Sequence, residues 1–254
     1  MGGLIAILYG IISYAMFLAS FLYAIAFVGN ISQVPGFPDL VIPKTIDSGA
    51  PGSVVESIII NALLLSVFAV QHSLMARPAF KRVWTEIIPN GVERSTYVLL
   101  SSLALVLIYW QWRPLPDPVW TISSSLAVFA LNITFWIGWG IVLISTFLQN
   151  HFELFGLRQV WARLRARELP ISTFRTPLFY RWVRHPIYLG FMIAFWSAST
   201  MSQGHLLFAL ATTGYMFVGI YLEERDLVTY FGARYIAYRE EVSMILPLPK
   251  RGGK

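Results

Sequence analysis

Cysteine is absent from the 254 residues, so disulfides, thiolate metal sites and a cysteine nucleophile are all excluded. Charge is scarce as well. Only 13% of residues are Asp, Glu, Lys or Arg, against roughly 25% in soluble domains. A chain this poor in charge and 56% hydrophobic belongs in a bilayer. No cleavable signal peptide is expected, because Met1-Gly2-Gly3 lacks a basic start and the first apolar run, 4–28, is too long for a signal core. Myristoylation is not expected either, since the sixth residue is Ala6 rather than Ser or Thr.

What the chain does have is long uncharged runs. Six segments are nearly free of charge: 4–28, 57–75, 95–112, 119–149, 186–203 and 206–222. A helix needs about 20 apolar residues to cross roughly 30 Å of hydrocarbon, and backbone groups in lipid must bond internally. The expected fold is therefore all-α: a polytopic membrane helical bundle of about six hydrophobic helices. The last two are read as a tight hairpin turning near Gly204-His205, with a cytoplasmic amphipathic helix after them. The chain is read as one membrane domain, 1–254, in which 1–182 supplies the acceptor side and 183–254 the cofactor-binding hairpin and tail.

Basic residues orient this arrangement. With six crossings, both termini share a side with the loops 76–94 and 151–184 and with the tail after 222. These three regions hold four, seven and six Lys or Arg, and the opposite loops hold only Lys44 and Arg113. Both termini are thus expected in the cytoplasm, at the bacterial inner membrane. The net charge of +6 is a topology signal, and no nucleic-acid partner is expected. Trp110, Trp112 and Trp120 flank the proline-rich loop 114–118 and read as an interfacial aromatic belt.

The polar residues converge on the cytoplasmic side. Arg184-His185-Pro186 opens the fifth segment and Glu223-Glu224 closes the sixth. Gln71-His72-Ser73 closes the second, and Gln149-Asn150-His151 closes the fourth. The remaining histidine, His205, reads as a solvated turn residue on the outer side. Proline holds His185 in extended geometry, and Pro186 suits a first helical position. The N–H groups and positive dipole end that follow favour an anion such as a carboxylate. Arg184 adds a forked cation, and Gly190 lets another helix or a ligand approach. Adjacent carboxylates at a helix C-terminus oppose the dipole, so Glu223-Glu224 is read as a site for an ammonium or sulfonium. From 226 to 242, Tyr235 and Tyr238 recur with other apolar residues at helical spacing, with a break near Gly232. Such a stripe either packs or covers an adenine ring.

The combination Arg184-His185-Pro186-x-Tyr188-x-Gly190, two apolar segments, Glu223-Glu224 and Gly232-x-x-Tyr235-x-x-Tyr238 resembles the isoprenylcysteine carboxyl methyltransferase superfamily. Gln71-His72-Ser73-x-Met75-Ala76-Arg77 is similar to a segment of its NnrU-like branch. Residues 150–160, Asn-His-Phe-Glu-Leu-Phe-Gly-Leu-Arg-Gln-Val, resemble the bacterial methanethiol S-methyltransferases. The resemblance implies an integral membrane enzyme that uses S-adenosylmethionine and converts methanethiol to dimethyl sulfide. It also implies that the cofactor carboxylate meets the Pro186 helix start with His185 or Arg184, the ammonium meets Glu223 or Glu224, and the adenine meets the aromatic tail with Tyr235 and Tyr238.

A thiol becomes a competent nucleophile on losing its proton, and imidazole titrates near neutral pH. His72 and His151 are therefore the candidate proton acceptors, with Gln71, Arg77, Asn150 and Glu153 as candidate substrate contacts. No metal is expected. Two other readings stay open: a lipophilic thiol or prenylcysteine carboxylate as acceptor, and a non-enzymatic NnrU-like sensor or transporter.

Overall fold

The computed structural model describes residues 2–34, 36–167 and 174–248. Lys250, Arg251 and Lys254, counted above among the cytoplasmic charges, lie outside them. The described elements are α1 (Gly3–Val28), β1 (Gln33–Val34), β2 (Phe37–Val41), α2 (Val54–Ala76), α3 (Pro78–Ile87), α4 (Asn90–Gln111), β3 (Pro118–Thr121), α5 (Ser125–Leu148), α6 (His151–Leu154), α7 (Leu157–Leu164), a 3₁₀ turn (Leu178–Arg181), α8 (Pro186–Trp196), β4 (Thr200–Ser202), α9 (Gln203–Phe231) and α10 (Ala233–Glu241). The fold is all-α and polytopic. Five helices, α1, α2, α4, α5 and α9, are long and apolar enough to cross a membrane.

Three expectations change here. The fifth apolar segment does not make a spanning helix, because α8 is only 11 residues long and the chain after it enters β4. Gly204 and His205 form no turn. They lie in the first turn of α9, where His205 is 4% exposed, so it is a buried residue and not a solvated one. The fourth segment begins later than expected, since Pro118–Thr121 pairs as β3 with β4 and α5 starts at Ser125.

The chain divides into two compact units. The first comprises Met1–Thr121, His151–Pro170 and Thr200–Ala211; the second comprises Ile122–Asn150, Ile171–Ser199 and Thr212–Lys254.

In the first unit α4 packs on α1 and α2, and α7 lies along α1 and α4. Glycine permits that approach: a Cβ on Gly10 would stand 2.6 Å from Val160, and one on Gly3 would stand 3.0 Å from Leu164. The short helix α7 therefore runs beside the first half of α1, and Ala6, Val92 and Val160 form a dry cluster there. At the other end of α1, polar groups tie the loops down. Trp112 is fully buried and its Nε1 donates to the Ile46 carbonyl at 3.1 Å. It is thus a core residue, unlike Trp110, which is exposed as a belt residue should be. Asn61 donates to the Arg113 carbonyl and accepts from its N–H, both at 2.8 Å. Hydrogen bonds of this kind contribute about 1 kcal/mol each.

In the second unit α5 and α8 cross at their glycines. A Cβ on Gly138 would stand 2.6 Å from the Ala194 nitrogen, and one on Gly190 would stand 2.7 Å from the Gly138 oxygen. Backbone meets backbone, as in small-residue helix contacts within membranes. The partner that Gly190 admits is therefore helix α5. The second part of α9 runs antiparallel to α8, through Trp196 Nε1 to Thr213 Oγ1 at 3.0 Å and Tyr188 OH to Glu223 at 3.2 Å. The hairpin expectation holds in this form.

Candidate active site

Glu223 and Glu224 do not end a helix. α9 continues two turns past them to Phe231, and the chain then breaks at Gly232, whose φ of +58° suits glycine. Their carboxylates are therefore not facing orphan carbonyls. They are held by what packs against them.

Arg184 is buried and its Nε donates to Glu224 Oε1 at 2.7 Å. Its Nη1 donates to the carbonyls of Arg239, at 3.2 Å, and Val242. His185, also buried, places Nε2 3.1 Å from Glu224 Oε1 and Nδ1 3.8 Å from Glu223 Oε2. Arg239 on α10 reaches Glu224 Oε2 at 3.2 Å. Glu224 thus serves Arg184, His185 and Arg239 together, which is how a buried carboxylate becomes tolerable. Glu223 is the open member of the pair, its side chain 39% exposed. An open groove beside them is lined by Tyr221, Glu224, Arg225, Val228, Thr229 and Arg239.

The carboxyl-terminal strand segment secures this cluster in a way sequence did not show. Arg184 N–H donates to Ser243 O at 2.9 Å, and His185 N–H donates to Met244 O at 3.1 Å. Pro186 occupies the first helical position with His185 before it as N-cap. Tyr235 is 2% exposed and Tyr238 is also buried; both pack on Phe174, and Tyr238 donates to the Tyr180 carbonyl. Burial pushes the Tyr238 phenol up to about 12, partly opposed by Arg184. These rings anchor α10, and with it Arg239. One residue overlooked in the sequence belongs here: Tyr180 is buried, and its hydroxyl has no hydrogen-bond partner among the described residues. Desolvation, then the Glu223 charge and Tyr238, push its pKa up, so it is a neutral donor. Only its place in a 3₁₀ turn ahead of Arg184 could have marked it.

The other candidates lie in the first unit, Asn150 excepted. His72, half-buried on α2, has both ring nitrogens engaged: Tyr97 OH is 2.8 Å from Nε2, and Ser101 Oγ is 3.1 Å from Nδ1. Gln71 Nε2 donates to Met75 Sδ at 3.1 Å, and its buried Oε1 has no partner among the described residues. Arg77 Nε donates back to Ser73 O at 3.2 Å. Glu153 is ion-paired with Arg158 at 2.6 Å. Asn150, the last residue of its segment in the second unit, sits at φ +72° and turns the chain into α6.

His151, at the start of α6, is 5% exposed. Its Nε2 is 2.9 Å from Tyr14 OH on α1. Phe155, Phe152, Tyr14 and Phe17 surround it, with ring centroids 4.8, 5.5, 5.8 and 6.5 Å away. Burial alone lowers its pKa from the ordinary imidazole value. Phe17 and Phe155 also pack on the cluster of Met75, Tyr97 and Val98, so both histidines border one aromatic core.

The fold and these sites define a class first: an integral membrane protein with an ionic cluster buried at a helix start in one unit and an aromatic, imidazole-bearing core in the other. The comparisons specify more. Over 241 residues the chain is 52% identical to Methanethiol S-methyltransferase 2 of Bradyrhizobium diazoefficiens, covering 95% of this chain and 89% of that protein. It is 50% identical over 247 residues to Methanethiol S-methyltransferase of Mycobacterium tuberculosis, covering 97% and 98%. Nurim of Rattus norvegicus is 30% identical over 187 residues, covering 69% of this chain and 70% of its own length. No protein-family model and no solved structure matches. The chain belongs to the methanethiol S-methyltransferase family, and it is a methyltransferase.

Proposed function

We propose that this protein transfers the methyl group of S-adenosylmethionine to the thiol of methanethiol, forming dimethyl sulfide. The reaction is placed at the cytoplasmic face of the bacterial inner membrane. One observation carries the reading. A buried Arg184–His185–Glu224 cluster opens α8 in a chain half identical, over nearly its whole length, to proteins named for methanethiol methylation.

The residues present fit the cofactor. The orphan Tyr180 hydroxyl is a buried polar atom of the kind a polar ligand satisfies, and leaving it unpaired costs about 1–3 kcal/mol. Glu223 is the carboxylate for the ammonium, because Glu224 already accepts from Arg184, His185 and Arg239. The first-turn N–H groups of α8, which a helix start leaves without intrahelical acceptors, suit the carboxylate. Arg184 and His185 act by fixing Glu224 and the helix start, and Tyr235 and Tyr238 act by holding α10. When bound, the sulfonium supplies an activated methyl group for in-line displacement by sulfur.

On the acceptor side the chain has to take the thiol proton and exclude water. Methanethiol offers little binding energy, at best about 1.5 kcal/mol per heavy atom, so a small apolar surround is required. His151 has one, in Tyr14, Phe17, Phe152 and Phe155. Its lowered pKa keeps it neutral and able to accept at pH 7. His72, with both nitrogens engaged, serves instead to position Tyr97.

The test incubates purified protein with S-adenosylmethionine, methanethiol, hydrogen sulfide and a prenylcysteine. Dimethyl sulfide in the headspace as the main methylated product is expected. Its absence, or preferential methylation of the prenylcysteine, overturns the reading.

A further inference from the structure

The proton acceptor is not a lone histidine. Tyr14 projects from the middle of α1, twelve residues into a 26-residue helix, and meets His151 at 2.9 Å. Nothing in the sequence singles out Tyr14 among 12 tyrosines. It becomes special because α7 lies along the first half of α1, which brings α6 to that depth. The two members of the pair differ in access: Tyr14 is half-buried, whereas His151 is enclosed by aromatic rings.

We propose that Tyr14 is a catalytic residue that relays the thiol proton to His151; this rests on the thiol-methylation reading above. In the resting state His151 is neutral with Nε2 unprotonated, accepting from Tyr14 O–H. The S–H bond of the thiol breaks and its proton joins the Tyr14 oxygen. The proton already on that oxygen passes to His151 Nε2. The products are a thiolate, an intact neutral tyrosine and an imidazolium, and the imidazolium returns its proton to water after turnover. The aromatic rings around His151 supply faces but no counter-charge. Charged groups close by include Arg94 on α4, whose Nε donates to Leu154 O at 2.6 Å, and the Glu153–Arg158 ion pair. The titratable Tyr97 on α4 is engaged with His72.

A relay makes a demand that a packing role does not. Its value depends on whether the substrate arrives with a proton. Y14F keeps the ring and removes the hydroxyl; H151Q keeps a polar side chain and removes the base. Both variants, and the double variant, are assayed across pH 6.5–9.5 with methanethiol and with trifluoroethanethiol, a more acidic thiol, beside calorimetric titration with S-adenosylhomocysteine. On methanethiol at pH 7, Y14F is expected to lose about 100-fold in kcat, within the range for a positioned proton-transfer group. Its affinity for S-adenosylhomocysteine should be unchanged. The deficit should shrink as pH rises and nearly vanish with trifluoroethanethiol. The double variant should lose no more than the worse single variant, as residues acting as one unit do. Full methanethiol turnover by Y14F at pH 7 overturns the relay, and so does a deficit equal for both thiols at every pH. If Y14F fails to bind S-adenosylhomocysteine, H151Q decides by the same two criteria. Absence of dimethyl sulfide from the unmodified protein refutes the proposed function instead, so the two failures are distinguishable.

Discussion

The two units solve opposite problems with opposite materials. In the second, Arg184, Arg239 and Glu224 put full charges into a membrane protein and satisfy them with one another and with backbone carbonyls. In the first, His151 meets Tyr14 and His72 meets Tyr97, neutral polar groups bordered by phenylalanines. A large zwitterionic cofactor can be held by fixed charges. A thiol of two heavy atoms cannot, and it is better served by a dry surround and a neutral base. On the proposed function, the charged cluster would hold the cofactor and the aromatic core the thiol, so substitutions in each should affect different steps.

The largest effect should come from the helix crossing beneath the charged site. Gly190→Leu drives a side chain into the α5 backbone, where even a Cβ stands 2.7 Å from the Gly138 oxygen. Overpacking typically costs about 1–3 kcal/mol, and more where backbone cannot yield. The expected outcome is loss of folded protein by size-exclusion chromatography; a monodisperse variant with normal Tm breaks this reading. Glu224→Ala comes next. It strands Arg184 in the interior, at about 3–5 kcal/mol, and should abolish S-adenosylhomocysteine binding while leaving the Tyr14–His151 pair intact. Denaturant unfolding and calorimetry check both.

Within the aromatic core the two histidines should part company. H151Q is expected to lower kcat about 100-fold with little change in Tm. H72Q should destabilise by about 1–3 kcal/mol, because the hydrogen bond between the imidazole and buried Tyr97 is lost, and should retain turnover at temperatures where it is folded. Reversed roles would exchange the two assignments. A smaller effect is expected from Glu223→Gln. Its side chain is 39% exposed, so stability should change by less than about 0.5 kcal/mol, while S-adenosylhomocysteine affinity falls about tenfold. The smallest is a pH effect. Tyr238 has its pKa raised from 10 to about 12, so the folded state favours the neutral phenol. That contribution is complete below pH 10 and fades as pH rises towards 12. Denaturant midpoints measured from pH 9 to 12 should decline across this window, and Tyr238→Phe should flatten the decline.

Much of this was legible in the chain. Apolar length marked α1, α2 and α4 within a few residues, because lipid leaves the backbone little choice but helix. Arg184-His185-Pro186 and Glu223-Glu224 were legible as two polar sites at one membrane face; the ion pairs of Arg184 and His185 with Glu224 were not. The errors have a common source. Local pattern placed a helix end at Glu223, a turn at Gly204-His205 and a belt position at Trp112. Tertiary contacts decided otherwise: α10 and the 242–244 segment cover the carboxylates, β3–β4 pairing occupies the chain before α9, and Ile46 accepts from Trp112.

Composition and charge pattern by themselves determined that this is a helical membrane protein, and the motifs determined its family, since both are properties of the chain read one segment at a time. Only the tertiary structure decided that Gly190 serves α5, that the Tyr180 carbonyl anchors Tyr238, and that Tyr14 rather than any other tyrosine reaches His151. Those pairings join residues far apart in sequence. Tyr14 and His151 are 137 positions apart, and their contact depends on α7 fitting against the glycines of α1, which no local periodicity records.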